Sequence, residues 1–249
     1  MTRTRLVLVH GTRVSRTQWD LPAYRDVSAE FDVLCPDLPG HGRRAGERFT
    51  TDAAVAAIAA TVEAGDRAAP VVLVGHSLGG YMAMAYAARH PNRLTGLVLI
   101  GATAVPQGLG AAAYRAFASL LPRLGHERVG RLSNRVLARL AGQETLAVVL
   151  AGGASYDATA DAWACVMQDC RPDLLREVAC PVLLLNGQFD QLGVHARRFA
   201  AHCRDAHVVV VPRASHLLPI THPALVGGLI RDFASEAVGR ADSGQSTQT

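Results

Sequence analysis

Hydrophobic positions along the chain gather into six short runs, at residues 5–10, 32–35, 71–74, 97–100, 182–185 and 207–211, each rich in Val, Leu and Ile. Runs this short and continuous predict strands buried on both faces of a sheet. Between most of them lie Ala-rich stretches with helical spacing, at 51–63, 78–89, 194–201 and 223–234. Strand and helix therefore alternate, which predicts an α/β protein: a mostly parallel sheet of these six strands with helices on both faces.

The rhythm stops between residues 109 and 177, where no strand-like run occurs and helical patterns are interrupted at Pro122, Gly125, Gly142 and Gly152-Gly153. This predicts an all-helical cap, 109–177, inserted into a core made of 1–108 and 178–238. Residues 239–249 are polar and free of apolar periodicity, so a disordered tail is expected there. The cap is electrically polarised. Its first half, 109–143, sets six Arg against Glu127 for a net +5, and its second half, 144–177, sets two Arg against six acids for a net −4. Arg128, Arg131, Arg135 and Arg139 recur three or four apart and line one helix face. Two readings stand: a solvated face partly matched by the acidic half, or a landing site for an acidic or carrier-bound substrate.

At 249 residues the chain fits one sizeable core carrying an insertion. All 25 Lys+Arg positions are Arg. The absence of lysine excludes a P-loop phosphate clamp, a pyridoxal Schiff base, a class I aldolase and a kinase. The formal charge of +4 is scattered, with no block of like charges, which argues against nucleic-acid binding. No apolar run approaches the length of a membrane span, and the N-terminus lacks a signal-peptide core, so a cytoplasmic protein is expected. Cys35, Cys165, Cys170, Cys180 and Cys203 form no C-x-x-C pair and read as buried free thiols. No His, Cys or acid cluster has metal-ligand spacing, so no metal is expected.

Chemistry enters at residues 71–80, Val-Val-Leu-Val-Gly-His-Ser-Leu-Gly-Gly, where a strand runs through G-x-S-x-G straight into a helix. So abrupt a turn forces Ser77 into a strained backbone conformation and lifts its hydroxyl clear of the sheet edge. The helix N-terminus aims free N–H groups at the place where an oxyanion would form. A serine hydroxyl needs a base, and the base needs a carboxylate to orient it. Asp190 and His216 follow the fifth and sixth strands, where a parallel sheet presents functional groups. The chain order is Ser, Asp, His. Thr12, in the loop after the first strand, and Leu78, directly after Ser77, offer backbone N–H groups as an oxyanion hole.

Together these segments resemble the α/β-hydrolase superfamily, in its capped branch of carboxylesterases, enol-lactonases and C–C bond hydrolases. The resemblance rests on His10-Gly11 with Trp19, Asp37-Leu38-Pro39-Gly40-His41-Gly42, Gly75-His76-Ser77-Leu78-Gly79-Gly80, Asn186-Gly187-Gln188-Phe189-Asp190, Ser215-His216 and His222-Pro223. It implies a sheet of eight strands in the family, of which this chain begins at the third. The family pattern also implies that His10, His41 and His76 fill space beneath the elbow and loops. Arg43-Arg44 and Ser215 depart from the pattern and bear on substrate surroundings more than on chemistry.

The expected activity is hydrolysis of a small to medium carboxylic ester, thioester or lactone through an acyl-enzyme, with Ser77 as nucleophile, His216 as base and Asp190 as orienting acid, and without a cofactor. C–C bond hydrolases and cofactor-free perhydrolases or haloperoxidases use the same triad, and a ligand sensor built on this fold would retain it. Aspartate-nucleophile dehalogenases and epoxide hydrolases are excluded by Ser77, and lysine-dependent hydroxynitrile lyases by the missing lysine. Trp163 and Met167, with Cys165, are candidates to line the acyl pocket, the other reading of that stripe being cap core. Arg13 beside the oxyanion loop would favour an anionic substrate group if it turns inward, and otherwise faces solvent.

Overall fold

The structure, a computed structural model, describes residues 3–105 and 125–245. Its strands are β1 (Arg5–Val9), β2 (Asp32–Leu34), β3 (Val71–His76), β4 (Gly96–Ile100), β5 (Val182–Phe189) and β6 (Ala206–Ser215). All pair in parallel, in the order β2-β1-β3-β4-β5-β6. The order reverses between β1 and β3, and a crevice forms at the carboxyl ends of strands that part in this way.

The continuous apolar runs have two faces to fill. Val7, Val9, Leu73, Leu97, Leu99 and Leu184 point into one buried cluster, against α2 (Thr51–Val62) and α3 (Leu78–Arg89). Leu6, Leu8, Val72, Val74, Val98 and Leu183 point into the other, against α1 (Pro22–Val27) and the last helix, Pro223–Gln245. Each fully buried aliphatic side chain contributes roughly 1.5–3 kcal/mol, so the inner strands anchor the fold. The run at 207–211 departs from the expectation of two-sided burial. Among the described residues β6 is an edge strand, paired only with β5, and Val208 and Val210 are 40% and 53% exposed.

Within the expected insertion, the described residues form α4 (His126–Ala141), α5 (Gln143–Leu150), α6 (Thr159–Asp169) and a 3₁₀ turn at Pro172–Glu177. Its predicted beginning, 109–124, lies outside the described residues. α4 packs on α5 and on the helix Leu218–Thr221, and α5 packs on the 3₁₀ turn Arg16–Trp19. α6 instead packs on α2 and α3 and joins the main core cluster. Three helices remain: α7 (Ala196–Ala200), α8 (Leu218–Thr221) and α9 (Pro223–Gln245).

α9 corrects the expected tail. Helix continues through residues 239–245, where Arg240 ties it down by donating to Asp205 Oδ2 at 2.9 Å and to Glu236 one turn earlier, whereas 246–249 lie outside the described residues. Among the described residues no helix is long and apolar enough to cross a membrane.

Candidate active site

β3 ends at His76, and the chain turns through Ser77 into α3 within one residue. Ser77 adopts φ 53° and ψ −118°, a conformation that costs a non-glycine residue about 1–3 kcal/mol. Its neighbours hold it there: Ser77 N–H donates to Ile100 O at 2.8 Å, and its carbonyl accepts from Gly80 N–H at 2.9 Å. A Cβ at Gly75 would lie 2.3 Å from Gly79 O, so the crossing of strand and helix admits only glycine there.

The final ladder brings the other two groups together. Phe189 pairs with Ser215 after a register irregularity between Gly187 and Phe189, so the next residues, Asp190 and His216, leave the sheet side by side. His216 Nδ1–H donates to Asp190 Oδ1 at 2.9 Å, and Ser77 Oγ–H donates to His216 Nε2 at 2.9 Å. Asp190 Oδ1 also accepts from Leu192 N–H at 2.8 Å. Burial works to raise the Asp190 carboxyl, but the His216 hydrogen bond and charge, with the Leu192 N–H, outweigh it and hold the group below its ordinary range. Asp190 thus stays ionised behind the imidazole.

The helix start leaves Leu78 N–H free, and the loop after β1 leaves Thr12 N–H free; neither donates to any of the described residues. Thr12 lies on the wall of the same cavity as Ser77 and His216. The loop is braced from below, where Gly11 N–H donates to Gln18 Oε1 at 3.0 Å.

Three histidines surround this site without joining the hydrogen-bonded chain. His10 is fully buried; its Nδ1–H donates to Gly11 O at 2.7 Å and its Nε2 accepts from Leu38 N–H at 3.0 Å. Burial, followed by the nearby His41, pushes His10 down to about 3. His76 lies with its Nε2 3.0 Å from the carbonyl oxygen of His216 and its Nδ1 3.2 Å from Gln18 Oε1. Burial and then the charge of His216 push His76 down to about 3 as well. His41 Nδ1–H donates to Pro39 O at 2.9 Å, and burial lowers it too. Neutral at physiological pH, these rings serve as fixed hydrogen-bonding struts.

A cavity of about 420 Å³ opens over Ser77 and His216. α4 lines it through Leu132, Ser133, Val136 and Leu137, and Leu217 and Ile220 line it as well. Trp163 and Met167, expected as pocket residues, are elsewhere. Trp163 is buried in the main core cluster, edge-on to Tyr81 at 6.3 Å, and Met167 packs against the same cluster. The reason is the docking of α6 on α3, which turns its apolar stripe into the core. Arg13 lines the cavity mouth but does not reach inward, since its guanidinium binds α4 at Gly130 O (3.4 Å) and at Asn134 Oδ1. Arg43 and Arg44 do not line the cavity, and Arg44 pairs with Glu47 at 2.8 Å on the surface.

Residues that sequence reasoning misses are the apolar positions of α4 and the brace Gln18. Leu132, Val136 and Leu140 recur every fourth residue, a signal masked by the interleaved arginines, whereas an isolated glutamine carries none. Arg128, Arg131, Arg135 and Arg139 are all exposed. Arg131 pairs with Glu127 of its own helix at 3.4 Å, and in the acidic half Asp161 and Asp169 bind Arg48 and Thr51 of the core.

The sequence profile of the alpha/beta hydrolase family matches residues 6–227. A pimeloyl-[acyl-carrier protein] methyl ester esterase from Neisseria meningitidis is 30% identical, over 92% of this chain and 93% of its own length. One from Aromatoleum aromaticum is 31% identical, over 93% of this chain and 98% of its own. Among solved structures, a thermophilic esterase from Thermogutta terrifontis superposes with a TM-score of 0.76 at 28% identity, covering 95% of this chain and 91% of that one.

Proposed function

The chain belongs to the alpha/beta hydrolase family and is a hydrolase, and from that premise we propose that it cleaves carboxylic esters through an acyl-enzyme on Ser77. The observation that carries this reading is the unbroken chain from Ser77 Oγ through His216 to Asp190, at 2.9 Å for each link. His216 Nε2 takes the hydroxyl proton as Ser77 Oγ bonds to the substrate carbonyl carbon, and the oxyanion forms against the N–H groups of Thr12 and Leu78. The ionised Asp190 holds the Nδ1–H tautomer and stabilises the imidazolium. On collapse, the C–O bond to the leaving alcohol breaks and His216 returns the proton to that oxygen. A water then repeats the sequence on the acyl-enzyme and restores Ser77.

The acyl or alcohol portion lies under α4, in a cavity whose volume of about 420 Å³ suits a small to medium chain. The outer side of the same helix carries the four arginines, all exposed. We read this face as the landing surface for an acidic carrier or acidic leaving group. The carrier-linked esters named for the two bacterial relatives are consistent with it.

Ser77→Ala tests the core of the proposal. The parent should label with a fluorophosphonate and hydrolyse p-nitrophenyl acyl esters, and the variant should do neither. Labelling or turnover that survives the substitution would remove Ser77 from its role.

A further inference from the structure

Arg13 is the residue directly after the oxyanion-side Thr12, and it holds a left-handed backbone, φ 72°, that an arginine adopts only when its surroundings enforce it. The enforcement comes from the insertion. Arg13 O accepts from Ser155 N–H at 2.9 Å. Its guanidinium spans to α4, donating to Gly130 O at 3.4 Å and to Asn134 Oδ1, and lies over the Tyr156 ring at 5.3 Å from its centre. Tyr156 closes the ring of contacts, its hydroxyl 2.7 Å from Ser133 Oγ on α4. A few residues on, Thr17 Oγ1 donates to Val149 O at 2.9 Å and accepts from Gly152 N–H at 3.1 Å. The loop that carries Thr12 is therefore stitched to the insertion at two points that follow it, Arg13 and Thr17, and Arg13 is the stitch nearest the reacting atoms.

We propose that Arg13 is a positioning residue: by clasping Asn134 of α4 it holds the Thr12 N–H at the oxyanion site, so the insertion sets the catalytic geometry as well as the shape of the pocket. The proposal rests on the serine-esterase reading and extends it. An oxyanion donor is effective only at hydrogen-bond distance from the position the oxyanion takes, and removing one costs on the order of a hundredfold or more in kcat. A clasp that keeps the donor in place accounts for part of that factor. Both contacts to α4 are made by Nη2, the nitrogen that turns away from the reacting atoms and ties the loop to the insertion.

The test uses the full chain with p-nitrophenyl acetate, whose acyl group is too short to need the α4 wall, beside a longer p-nitrophenyl ester. Asn134→Leu removes the acceptor from the insertion without touching the loop, and Arg13→Gly removes the guanidinium while tolerating φ 72°. Both should lower kcat on the acetate by about tenfold, with KM within about twofold, as expected for a contact that matters in the transition state. Asn134→Asp, which keeps an acceptor for the guanidinium, should stay within about threefold of the parent. The proposal is overturned if Asn134→Leu keeps the parent kcat on the acetate and changes only KM for the longer ester. It is equally overturned if Asn134→Asp falls as far as Asn134→Leu, which would reduce the site to packing. Failure of the esterase reading itself is seen in a different place, as fluorophosphonate labelling that persists in Ser77→Ala.

Discussion

Gly101, the residue that follows β4, lies against the Asp190–His216 pair: a Cβ there would come 2.7 Å from Asp190 Oδ2 and 2.9 Å from His216 Nδ1. Its φ of +59° is also one that L side chains rarely adopt. Gly101→Ala should push the two side chains apart and lower kcat on a p-nitrophenyl ester by about tenfold or more, since misplacements of this size cost on that order. Parent-level kcat in a folded Gly101→Ala protein would show that the pair tolerates the displacement.

Asp190→Asn retains an oxygen able to accept from Leu192 N–H but no longer fixes the His216 tautomer. The expected result is a fall in kcat of roughly 10³- to 10⁴-fold, the size seen when an orienting acid loses its charge, with the protein still folded. A loss below about tenfold would mean that another group orients His216.

Stability should fall in mild acid. His10 and His76 titrate near 6.5 when unfolded and about 3 when folded, because burial excludes the charged ring. Between those values the unfolded chain binds more protons, so the stability is fully present above about pH 6.5 and is lost as the pH drops toward 3. Each ring contributes a slope of at most about 1.4 kcal/mol per pH unit. Asp190 acts in the same direction but only below its ordinary value of 3.8. Urea unfolding at pH 7, 6 and 5 checks this, and a midpoint that does not move would contradict neutral buried rings.

The arginine face makes a selective prediction. Replacing Arg128, Arg131, Arg135 and Arg139 together by Gln should raise KM for an acyl ester on an acidic carrier protein by about tenfold or more at low salt, and by much less at high salt. The comparison that decides is the ratio of this KM to that for an uncharged p-nitrophenyl ester. A ratio equal in parent and variant would leave the four residues as a solvated face.

Much of the site is legible in the sequence because its information is local. Ser77 announces itself through glycines at fixed offsets in a strand-to-helix turn, and Asp190 and His216 follow strands that end in recognisable runs. His10 and His76 are buried beneath the elbow and loops, where the family pattern puts them. Trp163 and Met167 escape the same logic: an apolar stripe says that a helix face is covered, not by what, and α6 covers its face with α3. On α4 the arginines stand out and the apolar residues between them do not, although the latter form the cavity wall. The edge position of β6 is equally hidden, since a run of valines reads the same whether one or both of its faces are covered.

The sequence by itself determined the alternation of strand and helix, the strained turn at Ser77 and the identity and chain order of the three groups, because backbone sterics and hydrophobic periodicity act between near neighbours. Tertiary structure decided what depends on distant segments meeting. The register irregularity that sets Asp190 beside His216 is one such feature, and the space kept open by Gly101 is another. The turning of the Arg13 guanidinium toward α4 is a third. Each follows from packing among elements far apart in the chain, whose relative placement no local pattern encodes.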